Sequence, residues 1–458
     1  MAVEDFGDRA GGIKRRPNSR ESVFRVYRLA YGYTSGIQIE FVPPNLIHPE
    51  SCWVIFPRLL SFFVSHPESE PTSMLSQPVT DEFLDLKRKS GDALADNVVA
   101  ALIDAREIDN VDRDLLALLR NDQTVPETLP APLREYFDQT EGPLSVDPEA
   151  LRLGQNVFAE FGPEILMVLG FFSLPAAYAA KKGVQVLYRT AFLEKRPVRR
   201  VFETTRMVTD VMMPGGLDAH GKGLRTIQKV RLMHGGVRHM LQTDEQNPWD
   251  DDLGVTINQE DLAGTLMTFS YIVLAGLQRL GVELEEEDAL GYLQTWSAIG
   301  RLMGVDGDLL PETMSEAKDL TFKIRERQIA GSPEGIALTH ALIDGYAEWL
   351  DGVPDSMPAS MVHFFLDDDP LMHENVAAML DVPKARWFRL LPLLLTDLIR
   401  AFGFLIGRGP LKGRMMRWLS RHLVAGLISF DKDASQATFS IPDHLHDDWN
   451  LPVKGAKV

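Results

Sequence analysis

The stretch KVRLMHGGVRHML, residues 229–241, decides how this chain folds and what it holds. Read at 3.6 residues per turn, it places Arg231 one turn before His234 and Arg238 one turn after it. Ile227, Val230, Val237 and Leu241 lie on or beside the same side. A helix is therefore expected here, with three basic residues set in a largely apolar and buried stripe. Buried arginines are costly unless something anionic meets them, either protein carboxylates or the acid arms of a bound group. Gly235 and Gly236 add roughly 1 kcal/mol each relative to alanine in a helix interior. That cost is tolerated where a bulky flat body or another backbone comes into contact. Two readings fit: a haem ligated by His234, and a core histidine between two internal salt bridges beneath a close helix crossing.

Helical periodicity dominates outward from this stretch. Asp81 to Ala105 reads as amphipathic and helical, with Phe83, Leu84, Leu86, Leu94, Val98, Val99 and Leu102 on or near one face. Gly162-Pro163 signals a stop and restart. Asn258, with an acid three residues on, reads as a helix N-cap. The Pro/Ser/acid-rich stretches His66 to Val79 and Thr124 to Pro148 read as loops, and strand-like alternation is confined to Ile37 to Phe41 and Thr438 to Ile441. The expected fold is all-α, one large multi-helical body. Its expected parts are a polar tail at 1–20, a helical and loop region at 21–147 packing on the core, a main domain at 148–450 and a tail at 451–458.

Composition narrows the function. Of 458 residues, 45% are hydrophobic and 24% charged, with a formal charge of −18. Such an acidic chain lacks the basic footprint that nucleic acid requires. Cys52 is alone, so no internal disulfide or cysteine-rich zinc site forms, and a reducing compartment is expected. Arg15-Arg16 is followed by no apolar stretch of signal-peptide length, so the expected location is cytoplasmic. Ile165 to Ala180 and Phe388 to Ile406 are short, broken by proline or charged, and read as core helices rather than membrane spans. Between Lys384 and Arg421 there are nine Lys or Arg residues against one acid, Asp397, interleaved with aromatic residues. That segment is either a basic rim on a helix pair or a face for peripheral contact with anionic lipid.

Four blocks in order carry a resemblance: RRVFETTRMVTDVMMPGG at 199–216, the stretch at 229–241, GVTINQEDLAGTLMTFS at 254–270, and LGYLQTWSAIGRLMGVDGDLLPETMSEAKDL at 290–320. Together they resemble the latex-clearing (rubber oxygenase) and MpaB-type oxygenase family, whose catalytic domain is all-helical. The resemblance implies haem b, with its iron on His234 and with Arg231, Gly235 and Arg238 around the cofactor. It implies O2 activation on the open face, bordered by Arg200 and Thr204 in the family's Arg-x-x-x-Thr pattern. The family's rubber-cleaving members have lysine before that threonine; here Glu203 stands there, either as an acid or base beside oxygen or as a salt-bridge partner of Arg200 or Arg206. No confident match exists for the family's glutamate base, Glu164 and Glu194 being the nearby residues. The implied activity is oxidation, in particular C=C cleavage, of a hydrophobic isoprenoid or lipid. The competing class is a haem-binding sensor or carrier without turnover.

Overall fold

The computed structural model describes residues 78–104, 129–141, 146–190, 197–349, 354–367 and 375–384. All of them lie in one of the chain's two compact units, Thr72–Val458. The two strand-like stretches, the tails, Cys52, Glu194 and residues 385–421 fall outside them. Fifteen α-helices occur among the described residues, in the order α1 Asp81–Lys87, α2 Ala93–Asp104, α3 Ala131–Thr140, α4 Pro148–Val168, α5 Leu174–Tyr178, α6 Val184–Arg189, α7 Pro197–Met212, α8 Lys222–Thr243, α9 Gln259–Phe269, α10 Tyr271–Arg279, α11 Glu286–Leu302, α12 Met314–Gln328, α13 Pro333–Trp349, α14 Ser356–Leu366 and α15 Val376–Met379, with a π-helical turn, Leu169–Ser173, joining α4 to α5. Among the described residues the one β-type pairing is an isolated antiparallel bridge between Ala180 and Ile329. The fold is all-α, as the periodicity indicates.

Local chemistry sets several helix ends. The Asn258 side chain accepts from the Asp261 amide at 3.0 Å, so the N-cap expected there forms and starts α9. Thr313 and Glu316 make a reciprocal capping box on α12, with side-chain to amide distances of 3.2 and 3.1 Å. The stop-and-restart signal at Gly162-Pro163 becomes a kink within one helix: Phe161 leaves helical geometry (φ −117°, ψ 23°) and α4 continues past it. Proline removes an amide donor and crowds the preceding turn, which explains a bend in place of a break.

Two expectations are refined. Within Asp81 to Ala105 there are two helices, α1 and α2, parted at 88–92. The break follows from polar demands: Arg88 is buried and donates to Asp261 at 2.9 Å, while Asp92 turns inward to an arginine described below. The stretch Thr124 to Pro148 is not all loop, because it contains α3. Leu133, Tyr136 and Phe137 are buried there at helical spacing against Val98, Leu102 and Leu232, so packing overrides the polar composition.

The α4–α11 pair is central. Gly154 and Gly291 sit at its crossing, where a Cβ on Gly291 would lie 2.6 Å from Leu153 Cβ and 3.0 Å from the Ala150 carbonyl oxygen. Both helices press apolar faces into a core that also contains Phe172, Val211, Ile272, Trp296 and Phe365. Ile165 is fully buried in it. Among the described residues one helical run, Pro148–Tyr178, is long and apolar enough to cross a membrane, and 56% of its most apolar stretch is buried inside the protein.

Candidate active site

The sequence neighbours α7 and α8, packed against each other, position Arg200, Glu203, Thr204 and His234. Gly223 permits their close approach: a Cβ there would lie 2.6 Å from both the Asp210 carbonyl oxygen and Val211 Cα. On the other side, α3 fastens α8, with the Tyr136 hydroxyl donating to the Gln228 carbonyl and the Gln228 amide donating to Thr140, both at 2.8 Å.

Between these helices and α4, α9, α11 and α12 lies a cavity of about 380 Å³. Its wall is mostly apolar, with Leu169, Val211, Ile227, Ile272 and Trp296 among the lining residues. The π-helical turn also borders it through Leu169, Gly170 and Ser173. Extra residues in such turns re-aim side chains and recur at functional sites.

Of the residues read from the sequence, the cavity wall brings together Arg200, Thr204 and His234. His234 is the one histidine among the described lining residues. The residue is partly buried, and its Nδ1 is buried without a hydrogen-bond partner among the described residues. Burial, then the charges of Arg238 and Arg200, push its pKa down to about 3, so the imidazole is neutral at physiological pH. A neutral ring is the form that binds a metal. Thr204 donates its hydroxyl to the Arg200 carbonyl at 3.0 Å, a helix-internal bond that leaves its oxygen lone pairs free to accept.

The cavity wall does not include Glu203, Arg231, Gly235 or Arg238. Glu203 is 5% exposed and pairs with Arg200 at 3.5 Å, the salt-bridge geometry of the two open readings. The arginines meet protein carboxylates. Arg231 binds Asp92 through Nε and Nη2 and also donates to the Leu302 carbonyl at 3.1 Å. Arg238 binds Asp96 at 2.6 Å and donates to the Ile257 carbonyl at 3.3 Å. Gly235 faces α2, where a Cβ would meet the Ala95 carbonyl oxygen at 3.1 Å and Val99 Cγ2 at 3.2 Å. The glycine thus serves a helix crossing. Glu164 lies off the cavity wall, with its Oε2 buried and unpartnered and its pKa raised by burial.

The sequence reading missed the far wall, where Thr321, Arg325 and Gln328 of α12 line the same cavity. A signal for them existed. They stand at i, i+4 and i+7, on the stripe that also carries Ala317, Leu320 and Ile324, so their face of the helix is the apolar one.

Residues 157–421 match the model of an oxygenase catalytic domain. The chain belongs to that family, the ER-bound oxygenase mpaB/B'/Rubber oxygenase family. A rubber oxygenase from Streptomyces sp. (strain K30) is 30% identical over 266 residues, which is 56% of this chain and 63% of the relative. The chain therefore spans less than two thirds of that relative's length. The solved structure of latex clearing protein in the closed state is similar at a TM-score of 0.57 and 25% identity, covering 78% of this chain and 95% of that one.

Proposed function

We propose that this chain is a haem b-dependent oxygenase that uses O2 on a hydrophobic, isoprenoid-like or lipid substrate, with oxidative cleavage of a C=C bond as the reaction. Membership of the oxygenase family supports the reaction class. The observation that carries the site is His234: a neutral imidazole, unpartnered at Nδ1, in the wall of an apolar cavity.

The residues fit haem better than a bare ion. Among the described residues no group of three or more His, Cys, Asp or Glu side chains stands ready for a metal. A porphyrin brings its own four nitrogens, so one protein imidazole suffices. His234 would hold the iron, and Arg200, the cation on the α7 side of the cavity wall, is suited to an acid arm. Arg231 and Arg238, already paired with Asp92 and Asp96, act on the cofactor only by holding α8 against α2. The orienting hydrogen bond usual at a ligand histidine's second nitrogen is missing at Nδ1, so packing fixes the ring.

When bound, haem supplies the redox-active iron at which O2 is activated. The chain's own residues do the rest. Apolar side chains such as Leu169, Ile272 and Trp296 exclude water and hold the hydrocarbon. The Arg200 guanidinium stabilises negative charge developing on oxygen, and Glu203 holds that guanidinium in place. The Thr204 hydroxyl adds a polar contact on the same helix face.

The test is the visible absorption spectrum of the purified, haem-reconstituted protein and of His234→Ala. Wild type should show a histidine-ligated haem band that the variant loses. A variant retaining the wild-type spectrum would remove His234 from the iron. Oxygen uptake with an unsaturated isoprenoid then reads turnover.

A further inference from the structure

The cavity has a second polar end, on α12. Gln328 is 5% exposed, lines the cavity, and its side-chain oxygen Oε1 is buried with no hydrogen-bond partner among the described residues. Its backbone is pinned: the Gln328 carbonyl accepts from the Lys181 amide at 2.9 Å, beside the Ala180–Ile329 bridge. The side chain is therefore held at the wall rather than free to swing to solvent. One turn earlier Arg325, 9% exposed, lines the same wall with guanidinium N–H donors. A further turn back stands Thr321, 2% exposed, whose hydroxyl already donates to the Ala317 carbonyl and so offers only lone pairs.

A hydrocarbon guest alone would leave this end with a buried amide oxygen lacking any donor, which is costly. A purely anionic guest would face the same acceptor oxygen. A hydroxyl suits this end, because its single proton goes to the Gln328 oxygen, or to Thr321 if the amide is turned, while its lone pairs accept from Arg325. It also suits Gln328 with its amide in either orientation. We infer that Gln328, with Arg325 and Thr321, binds the terminal hydroxyl of an isoprenoid-type alcohol whose apolar chain fills the cavity toward His234. The inference rests on taking this cavity as the substrate site.

Equilibrium dialysis of the full-length, haem-loaded protein tests it, with geraniol, its methyl ether and the hydrocarbon myrcene as probes. Wild type should bind geraniol roughly tenfold more tightly than the ether, which lacks the donor. Gln328→Met, of nearly equal shape, should weaken geraniol roughly tenfold and leave myrcene unchanged. The inference is overturned if ether and alcohol bind wild type alike, if geraniol does not bind, or if the variant shifts all three probes together. The ether comparison needs no variant, so a poorly folding Gln328→Met does not obscure the answer. Visible spectra of the same samples separate the two proposals: an unchanged haem band without alcohol preference sinks this one alone, and alcohol preference in a protein that takes up no haem sinks only the cofactor.

Discussion

Arg231 grips both carboxylate oxygens of Asp92, Nε at 2.6 Å from one and Nη2 at 2.8 Å from the other, across 139 residues of sequence. The side chains are only 12% and 4% exposed. Removing one partner strands a buried charge, at about 3–5 kcal/mol. Asp92→Ala and Arg231→Ala should each show that loss in urea unfolding, while the apolar double replacement Asp92→Leu with Arg231→Met recovers most of it. Equal damage from the double replacement would mean that the pair does more than neutralise itself.

The α4–α11 crossing depends on glycine for room. Gly291→Ala gains helix propensity but drives a methyl group against Leu153 Cβ and the Ala150 carbonyl, neither of which is the end of a flexible chain. Overpacking of this kind costs about 1–3 kcal/mol, and a drop in the thermal midpoint should report it. An unchanged midpoint would show that the two helices slide apart freely.

Lys229 is 6% exposed, and its amine is buried with no hydrogen-bond partner among the described residues. Burial, then the charge of Arg225, pushes its pKa down from 10.5 to about 7. Between those values the unfolded chain binds more protons than the folded one, so stability rises with pH across that window. Below it both forms are protonated and the penalty is complete. The slope is at most about 1.4 kcal/mol per pH unit. Lys229→Met should be more stable than wild type by about 1–3 kcal/mol at neutral pH, and the difference should shrink by pH 10.5. A variant less stable than wild type at pH 7 would contradict this.

Arg200 lines the cavity, whereas Arg231 is held through two nitrogens by Asp92 and Arg238 is held through Nε by Asp96, away from the cavity wall. Arg200→Leu should therefore speed haem loss by roughly tenfold, the effect of one charge-assisted hydrogen bond. Asp96→Asn should leave haem retention within about twofold while lowering stability. The reverse ranking in a haem-transfer assay to apomyoglobin would return the acid arms to Arg238.

The helices were legible because their causes are local. The stripe around His234, the Asn258 cap and the proline at 163 each act within a few residues. What met Arg231 and Arg238 was not legible. A buried cation announces that it needs an anion, but Asp92 and Asp96 look like ordinary acids at the start of an amphipathic helix. Two equally good partners, propionate and aspartate, leave the same trace in the 229–241 stretch. Gly235 was ambiguous for the same reason, since a ring and a neighbouring backbone both demand the missing Cβ. The hydroxyl-suited end of the cavity went unread because Arg325 and Gln328 fall in KIRERQ, a run whose charge suggests solvent until the face is counted out.

Arg88, Asp92 and Asp96 all precede residue 157, where the family's shared region begins, yet each closes a charge inside it: Glu260 and Asp261, Arg231, and Arg238. A truncated clone starting at that border would take the upstream partner from Asp261, Arg231 and Arg238 at once, while Glu260 would keep Arg327. For this protein the excisable unit is thus longer than the homologous one, and α1, α2 and the turn that joins them are structural members of the oxygenase body.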